Sequence, residues 1–427
     1  MKRVVVTGIG AVTPLGNSFV ESWNVLKQGI SGIAPITRFD ASAIKWKVAG
    51  EVKGFDAGQY LSQKEISHLD PFIHYAVAAA FMAVEDAGLL QVQSSKFKVQ
   101  SLKTQNKNSS LVTRHSLLDS AGIIIGSSRG GISTIERSLA NSYQLSAKKL
   151  SPYLMPSTSI NMAASYVAQK LGIKGYCLGI SNACASGANA IGEAYRLIKS
   201  GYNSPVLAGG TEAPVCRLCL EGYGVSGALS IIDDYSASRP FDRTRDGFVL
   251  SEGACVLVLE GYESAKKRDA RIYGEIVGYG NTTDAFHLTK PNPNGEAMAI
   301  KGAIKEACIS PKDVDYISAH GTSTKLGDKA ETDAIKIAFG KRAYEIPVSS
   351  IKSMTGHMLA ASGAFEAAST VISIYEGIIT PTINLKDKDP ECDLNFVTRT
   401  TKSDIKIAIS NSFGFGGVNA ILVFKKV

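Results

Sequence analysis

Short, wholly apolar runs alternate along the chain with longer stretches in which apolar positions recur at helical spacing, an alternation that predicts an α/β fold. Strands are expected at 4–9, 121–126, 205–209, 249–259, 272–279, 314–319 and 346–350, with a closing pair near 405–411 and 418–425. Helices are expected at 18–28, 72–87, 157–170, 185–199, 296–308, 328–339 and 357–375. The runs at 121–125 and 205–208 contain almost nothing polar, the pattern of strands covered by helices on both faces.

The pattern repeats faintly. Cys184-Ala185-Ser186-Gly187-Ala188, opening one helix, is echoed by Leu359-Ala360-Ala361-Ser362-Gly363-Ala364-Phe365 opening another. Leu207-Ala208-Gly209-Gly210-Thr211 is similarly echoed by Ser318-Ala319-His320-Gly321-Thr322. Two like halves are therefore expected, 1–258 and 259–427, joined near 258–265, with strand ends and helix starts converging on one cleft. Residues 91–118 break the pattern. They carry Lys96, Lys98, Lys103, Lys107 and Arg114 and no acidic residue, and read as a solvated insertion.

Composition narrows the class. A chain of 427 residues with 44% hydrophobic content and 41 glycines suits a packed enzyme with many tight strand-to-helix turns. The net charge of +8 is spread among acidic residues with no aromatic-basic module, which argues against a nucleic-acid reader. No apolar run reaches the ~20 residues of a membrane span. The start Met1-Lys2-Arg3-Val4-Val5-Val6 lacks the long apolar region and cleavage site of a signal peptide and reads as a first buried strand. Seven cysteines without framework spacing point to reduced thiols and a cytoplasmic protein. The lone Cys216-x-x-Cys219 pair reads as structural, and no cofactor or metal is called for.

The chemistry lies in three segments. Asn182-Ala183-Cys184-Ala185-Ser186-Gly187 places a thiol at a helix start, where the macrodipole is expected to favour thiolate and unpaired N–H groups can hold an oxyanion. His320-Gly321-Thr322-Ser323-Thr324 and Lys352-Ser353-Met354-Thr355-Gly356-His357 supply two of the six histidines. No ligand spacing suits a metal, and a pair of neutral imidazoles donating to an enolate or tetrahedral oxyanion accounts for both. Lys352, following a strand, needs a buried anion; Glu366 is the first candidate, with Asp328 and Glu331 as others. In Asn411-Ser412-Phe413-Gly414-Phe415-Gly416-Gly417 the glycines allow close approach to a ligand and let Phe415 swing as a gate. Gly126-Ser127-Ser128-Arg129-Gly130 matches a hydrolase elbow, with Ser128 as nucleophile, but no Asp/His pair is dedicated to it.

These segments, with Val4–Gly10, Ser151-Pro152-Tyr153, Ala208–Glu212, Ser238–Asp242 and Arg245–Phe248, resemble the elongating β-ketoacyl-acyl-carrier-protein synthases, condensing enzymes of the thiolase-like class. The resemblance implies a five-layer αβαβα fold of two similar halves, a homodimer, and acyl and malonyl groups delivered by an acyl carrier protein. It implies Cys184 as nucleophile, His320 and His357 at the malonyl thioester, and Lys352 with Glu366 orienting the histidines. It further implies an oxyanion hole from the Cys184 and Phe415 amides, a substrate channel past Thr289, Thr322, Thr324 and Phe413, and carrier docking at Lys64, Lys148 and Lys149. Two departures stand out. Arg129 falls where the floor of the acyl pocket is usually apolar, implying a short, polar or polyunsaturated acyl group or an arginine paired across the dimer. Ser67, His68 and Gly227 replace basic docking residues, which admits a specialised carrier or a heterodimeric partner. A thiolase needs a second catalytic cysteine that Cys392 does not supply, and a starter-unit enzyme needs Asn at 357. The remaining alternative is a chain-length partner subunit, which generally lacks the nucleophile.

Overall fold

The computed structural model describes residues 2–90, 117–145 and 150–427. The expected insertion at 91–118 lies almost wholly outside the described residues, as do Lys148 and Lys149.

Eleven strands form one continuous sheet: β1 (Val4–Val12), β2 (Gly122–Gly126), β3 (Cys177–Ile180), β4 (Val206–Glu212), β5 (Gly253–Gly261), β6 (Gly274–Thr283), β7 (Tyr316–Ser318), β8 (Pro347–Ser349), β9 (Asn395–Phe396), β10 (Ile407–Gly414) and β11 (Val418–Lys425). Their spatial order is β9-β8-β7-β10-β11-β6-β1-β5-β4-β2-β3. Ten of these strands form two copies of one five-strand pattern, and β9 adds parallel to β8 at the edge. In the first, β3, β2 and β4 run parallel, and β5 and then β1 add antiparallel. In the second, β8, β7 and β10 run parallel, and β11 and then β6 add antiparallel. The copies meet only where Val4–Val6 pairs with Gly274–Ile276. The second copy thus begins at β6, and the expected division at 258/259 falls inside β5.

Side-chain alternation makes the layers. On β5, Cys255, Leu257 and Leu259 face a central apolar core, while Ala254, Val256 and Val258 face an outer one. This two-faced burial explains why the strands read as unbroken apolar runs. Helices α1 (Pro71–Asp86) and α2 (Met162–Leu171) cover the outer face of the first copy, and α4 (Pro293–Glu306) and α5 (Lys325–Phe339) that of the second. Between the copies lie α3 (Ser186–Lys199) and α6 (Ala360–Glu376), each packed on strands of both. The expected five-layer αβαβα architecture follows.

Small residues let those two central helices meet. A Cβ on Gly187 would fall 2.2 Å from the Ala360 carbonyl oxygen, one on Gly210 2.3 Å from the same oxygen, and one on Gly363 2.7 Å from Ser412 Oγ. Their contact draws both N-termini, and the loops leading into them, to one place. The first sequence echo is therefore real: α3 and α6 occupy equivalent positions. The second is not. By strand order the counterpart of β4 is β10, and that of β7, which leads to His320, is β2.

Other expectations need adjustment. The helix expected at 157–170 is two, Leu154–Thr158 and Met162–Leu171, because Ser159 is extended. The helix expected at 296–308 starts earlier, since Pro293 fits a first helical turn capped by the Asn292 side chain. That expected at 357–375 starts later, at Ala360, after a separate short helix Lys352–Thr355, with Gly356 at φ +68 and Leu359 at φ 47 turning the chain past His357. Strand β3, a glycine-containing edge strand, and helix Arg217–Val225 had no clear sequence signal.

Candidate active site

Cys184 stands in a knotted turn between β3 and α3. Asn182 N–H donates to Ser186 Oγ at 2.8 Å, and Ser186 Oγ donates back to the Ala183 carbonyl at 2.6 Å. Ala183 is held at φ 48, a conformation that L-residues other than glycine, Asn and Asp seldom adopt. The end of β10 presses on this turn: a Cβ on Gly414 would lie 3.0 Å from Asn182 O and 3.3 Å from the amide nitrogens of Cys184 and Ala185. That proximity aims the Phe415 N–H at the Cys184 sulfur.

The thiol does not gain the acidity expected of a helix start. Burial pushes it up to about 11, and the positive charges of Lys352 and Arg129 offset only part of that. α3 begins two residues later, at Ser186, so desolvation outweighs the helix dipole at Cys184.

His320 leaves β7 with its N–H and that of Gly321 donated to the Glu331 carboxylate at 2.8 and 2.7 Å, while Asn411 Nδ2 donates to the same group at 2.9 Å. Lys352 Nζ lies 3.2 Å from His320 Nδ1. An ammonium has only donors, so Nδ1 accepts and the ring's hydrogen sits on Nε2. Ser362 Oγ accepts from Met358 N–H at 2.9 Å and lies 3.1 Å from His357 Nδ1, leaving its own hydrogen for that nitrogen. Both rings therefore keep an Nε2–H to offer. Burial, and then Lys352, hold both imidazoles well below their ordinary pKa, hence neutral at physiological pH. The rings meet edge to face, centroids 5.3 Å apart at 85°.

Of the three anions considered for Lys352, Glu366 is the one that pairs with it, and both side chains are 1% exposed. Burial pushes the Glu366 carboxyl up to about 7 against the pull of Lys352. Glu331 instead fixes the His320 backbone, and Asp328 accepts from the Phe241 and Ser323 amides beside Arg245.

Cys184, His320 and His357 line one cavity of about 410 Å³. Thr289, Thr322 and Thr324 line it too, with Phe413 edge-on to His320 at 5.8 Å. Phe415 also lines it and is 38% exposed; Gly416 and Gly417 follow at φ 88 and 72, leaving the aromatic ring on a glycine hinge.

Three expectations fare differently. Arg129, expected at the floor of the acyl pocket, is exposed, lines no part of this cavity, and donates from Nε to the Tyr223 hydroxyl at 2.8 Å. Tyr223 does line the cavity, so Arg129 reaches it through that phenol. Lys64 is exposed on the short helix Gln63–His68. Ser128, the hydrolase candidate, has a buried hydroxyl beside Glu212, whose carboxylate accepts from the backbone N–H groups of Ser128 and Arg129 and from the Ser127 hydroxyl, and among the described residues no histidine joins them in a triad. The Cys216 and Cys219 thiols touch each other inside an apolar cluster. Sequence reasoning missed Tyr223, Ser362, Asn411 and the buried Glu296. Ser362 carried a signal, being the one hydroxyl in the small-residue start of α6.

Residues 1–265 match the family model "Beta-ketoacyl synthase, N-terminal domain", and residues 273–386 match "Beta-ketoacyl synthase, C-terminal domain". The chain is 46% identical over 430 residues to a 3-oxoacyl-[acyl-carrier-protein] synthase 2 of Synechocystis, covering 100% of this chain and 98% of that protein. Among solved structures it superposes on the ishigamide ketosynthase/chain length factor with a TM-score of 0.89 at 34% identity, covering 100% and 99% of the two chains. It also superposes on a type II PKS ketosynthase solved with its acyl-carrier protein, at TM-score 0.86 and 33% identity, covering both chains fully.

Proposed function

The chain belongs to the beta-ketoacyl synthase family, and from that premise we propose that it is an elongating β-ketoacyl-acyl-carrier-protein synthase, an acyltransferase that extends an acyl chain held on Cys184. The observation that carries this reading is the single cavity shared by one thiol and two neutral Nε2–H donors.

In the first half-reaction Cys184 Sγ attacks the acyl thioester of a carrier protein. The S–H proton leaves with the carrier's thiol, which suits a nucleophile that is protonated at rest. The tetrahedral oxygen is held by the backbone N–H groups of Cys184 and Phe415. In the second, the carbonyl of a malonyl thioester accepts from His320 and His357. Loss of CO₂ leaves an enolate whose negative oxygen those two donors stabilise. The enolate carbon then attacks the acyl-cysteine carbonyl, and collapse expels Cys184 as thiolate, which takes up a proton from solvent to return to its resting thiol. Lys352, paired with Glu366, keeps His320 in the Nε2–H tautomer and both rings uncharged. Protonated imidazoles would also donate, but burial beside an ammonium makes that state costly.

The partner is an acyl carrier protein loaded with acyl or malonyl groups, met at the face bearing Lys64, with Lys148 and Lys149 as further contacts. The exposed edge strand β3, hydrogen-bonded on one side only, supports pairing with a second copy to form a homodimer. Free cysteines support a cytoplasmic setting, and no helix among the described residues is long and apolar enough to cross a membrane. Retention of Cys184, His320 and His357 speaks against a chain-length partner subunit.

Incubation with acyl- and malonyl-loaded carrier protein tests this. The expected product is the β-ketoacyl carrier protein two carbons longer, made by the wild type and not by Cys184→Ala; a product formed equally by both contradicts the proposal.

A further inference from the structure

Glu296, in the first turn of α4, is an anomaly. It is 1% exposed, yet it lines the cavity shared by Cys184 and the two histidines. No hydrogen bond or ion pair reaches its carboxyl among the described residues, and Oε2 is buried without a partner. The nearby donors are already engaged: Asn292 N–H and Asn419 Nδ2 both go to the Asp284 carboxylate, at 2.9 and 2.7 Å. Leaving a buried polar group unmet is costly, so its presence on a cavity wall points to a ligand that meets it.

Resting on the condensing-enzyme reading above, we propose that the Glu296 carboxyl positions the substrate by hydrogen-bonding an amide of the pantetheine arm that carries the thioester. Burial first, and then the charges of Glu331, Asp284 and Asp333, hold this group well above the ordinary carboxylate range, so it is a neutral acid. A carboxylic acid presents an O–H donor and a C=O acceptor on one edge. A trans secondary amide turns its C=O and N–H in opposite directions, so the acid meets one of them, its O–H donating to the amide carbonyl. Thr289, Lys290, Thr322 and Thr324 line the same cavity and offer a polar, flexible chain further hydrogen-bond partners. An ionised carboxylate there could accept from the amide N–H but would repel its carbonyl. Glu296 touches no reacting atom in this scheme, so it acts on affinity, not on bond making.

The test pairs enzyme variants with a truncated substrate. CO₂ release is measured from malonyl-pantetheine and from the malonyl thioester of propanethiol, which has no amide. Glu296→Leu is expected to raise KM for malonyl-pantetheine about tenfold, the scale of one lost hydrogen bond, with kcat within about twofold and no change in KM for the propanethiol ester. Glu296→Gln, which keeps an N–H donor and a C=O, should restore KM for malonyl-pantetheine. Equal effects of Glu296→Leu on both esters, no effect on either, or a Gln variant as impaired as Leu overturns the assignment. If Glu296→Leu does not fold, infrared difference spectra decide. A protonated-carboxyl band missing in Glu296→Gln should shift when pantetheine binds the wild type, and an unshifted band overturns the proposal. Failure of the wild type to release CO₂ from either ester refutes the condensing-enzyme reading itself.

Discussion

Lys352 Nζ donates to the His320 carbonyl oxygen at 2.6 Å while ion-paired with Glu366, so one ammonium ties the loop carrying His320 to the central helix α6. Removing it strands an acid that burial already pushes up to about 7 from an ordinary 4.5. Lys352→Met is therefore expected to cost about 3–5 kcal/mol above neutral pH. The sign follows from linkage. A carboxyl whose folded pKa is raised binds its proton more tightly when folded, so stability falls as pH rises above the unfolded value. Melting curves of Lys352→Met should drop more steeply than wild type between about pH 6 and 8, and Glu366→Gln in the same chain should flatten them. Parallel wild-type and Lys352→Met curves would show that the pair carries no such charge.

The acidity of Cys184 is measurable by alkylation. With its thiol pushed up to about 11, the rate of iodoacetamide labelling at Cys184 should climb about tenfold per pH unit through pH 8 to 10 without levelling. A plateau near pH 8 contradicts a buried, protonated nucleophile.

Packing at the central helix crossing is equally open to test. Gly187→Ala puts a methyl 2.2 Å from the Ala360 carbonyl and should destabilise by about 1–3 kcal/mol, lowering Tm and CO₂ release together. Gly222→Ala, with nothing within 4 Å of the new methyl inside helix Arg217–Val225, should be neutral or stabilising by up to about 1 kcal/mol. Similar outcomes at the two sites would sink the packing argument.

Arg129 acts through Tyr223. Its guanidinium lies 5.1 Å from the centre of that ring and bears on the Cys184 thiol, setting a charge beside the apolar cluster around the nucleophile. Long saturated acyl groups should therefore load Cys184 more slowly than short or polar ones, and Arg129→Leu with Tyr223→Phe should narrow the gap. Intact-protein mass spectrometry across butanoyl to hexadecanoyl donors reads this, and a wild type that prefers hexadecanoyl refutes it.

Much of this was legible in the chain because two-faced burial leaves strands with few polar positions, and those at their ends: β2, β4 and β5 announce themselves. Cys184, His320 and His357 were legible for another reason, since each sits in a run of small residues that only a tight turn requires. What the sequence hid depended on three-dimensional neighbours. Strand β3 is short and exposed. Helix Arg217–Val225 contains two glycines and carries Tyr223 to the cavity. The pKa of Cys184 turned on burial, which the helix-start pattern does not report. Glu296 looked like an ordinary first-turn acid of a surface helix, and only the cavity wall reveals it. The echo between 207–211 and 318–322 misled because Gly-Gly-Thr and His-Gly-Thr end strands in different places of the repeat.

The account depends most directly on dividing the labour between the sulfur and the two rings. The decisive measurement follows both half-reactions in His320→Ala and in His357→Ala, scoring acyl mass on Cys184 and labelled CO₂ released from a malonyl thioester. Acylation within about tenfold of wild type together with CO₂ release lowered by about 100-fold or more is predicted for each variant. Undiminished CO₂ release, or acylation lost as completely as decarboxylation, would contradict it.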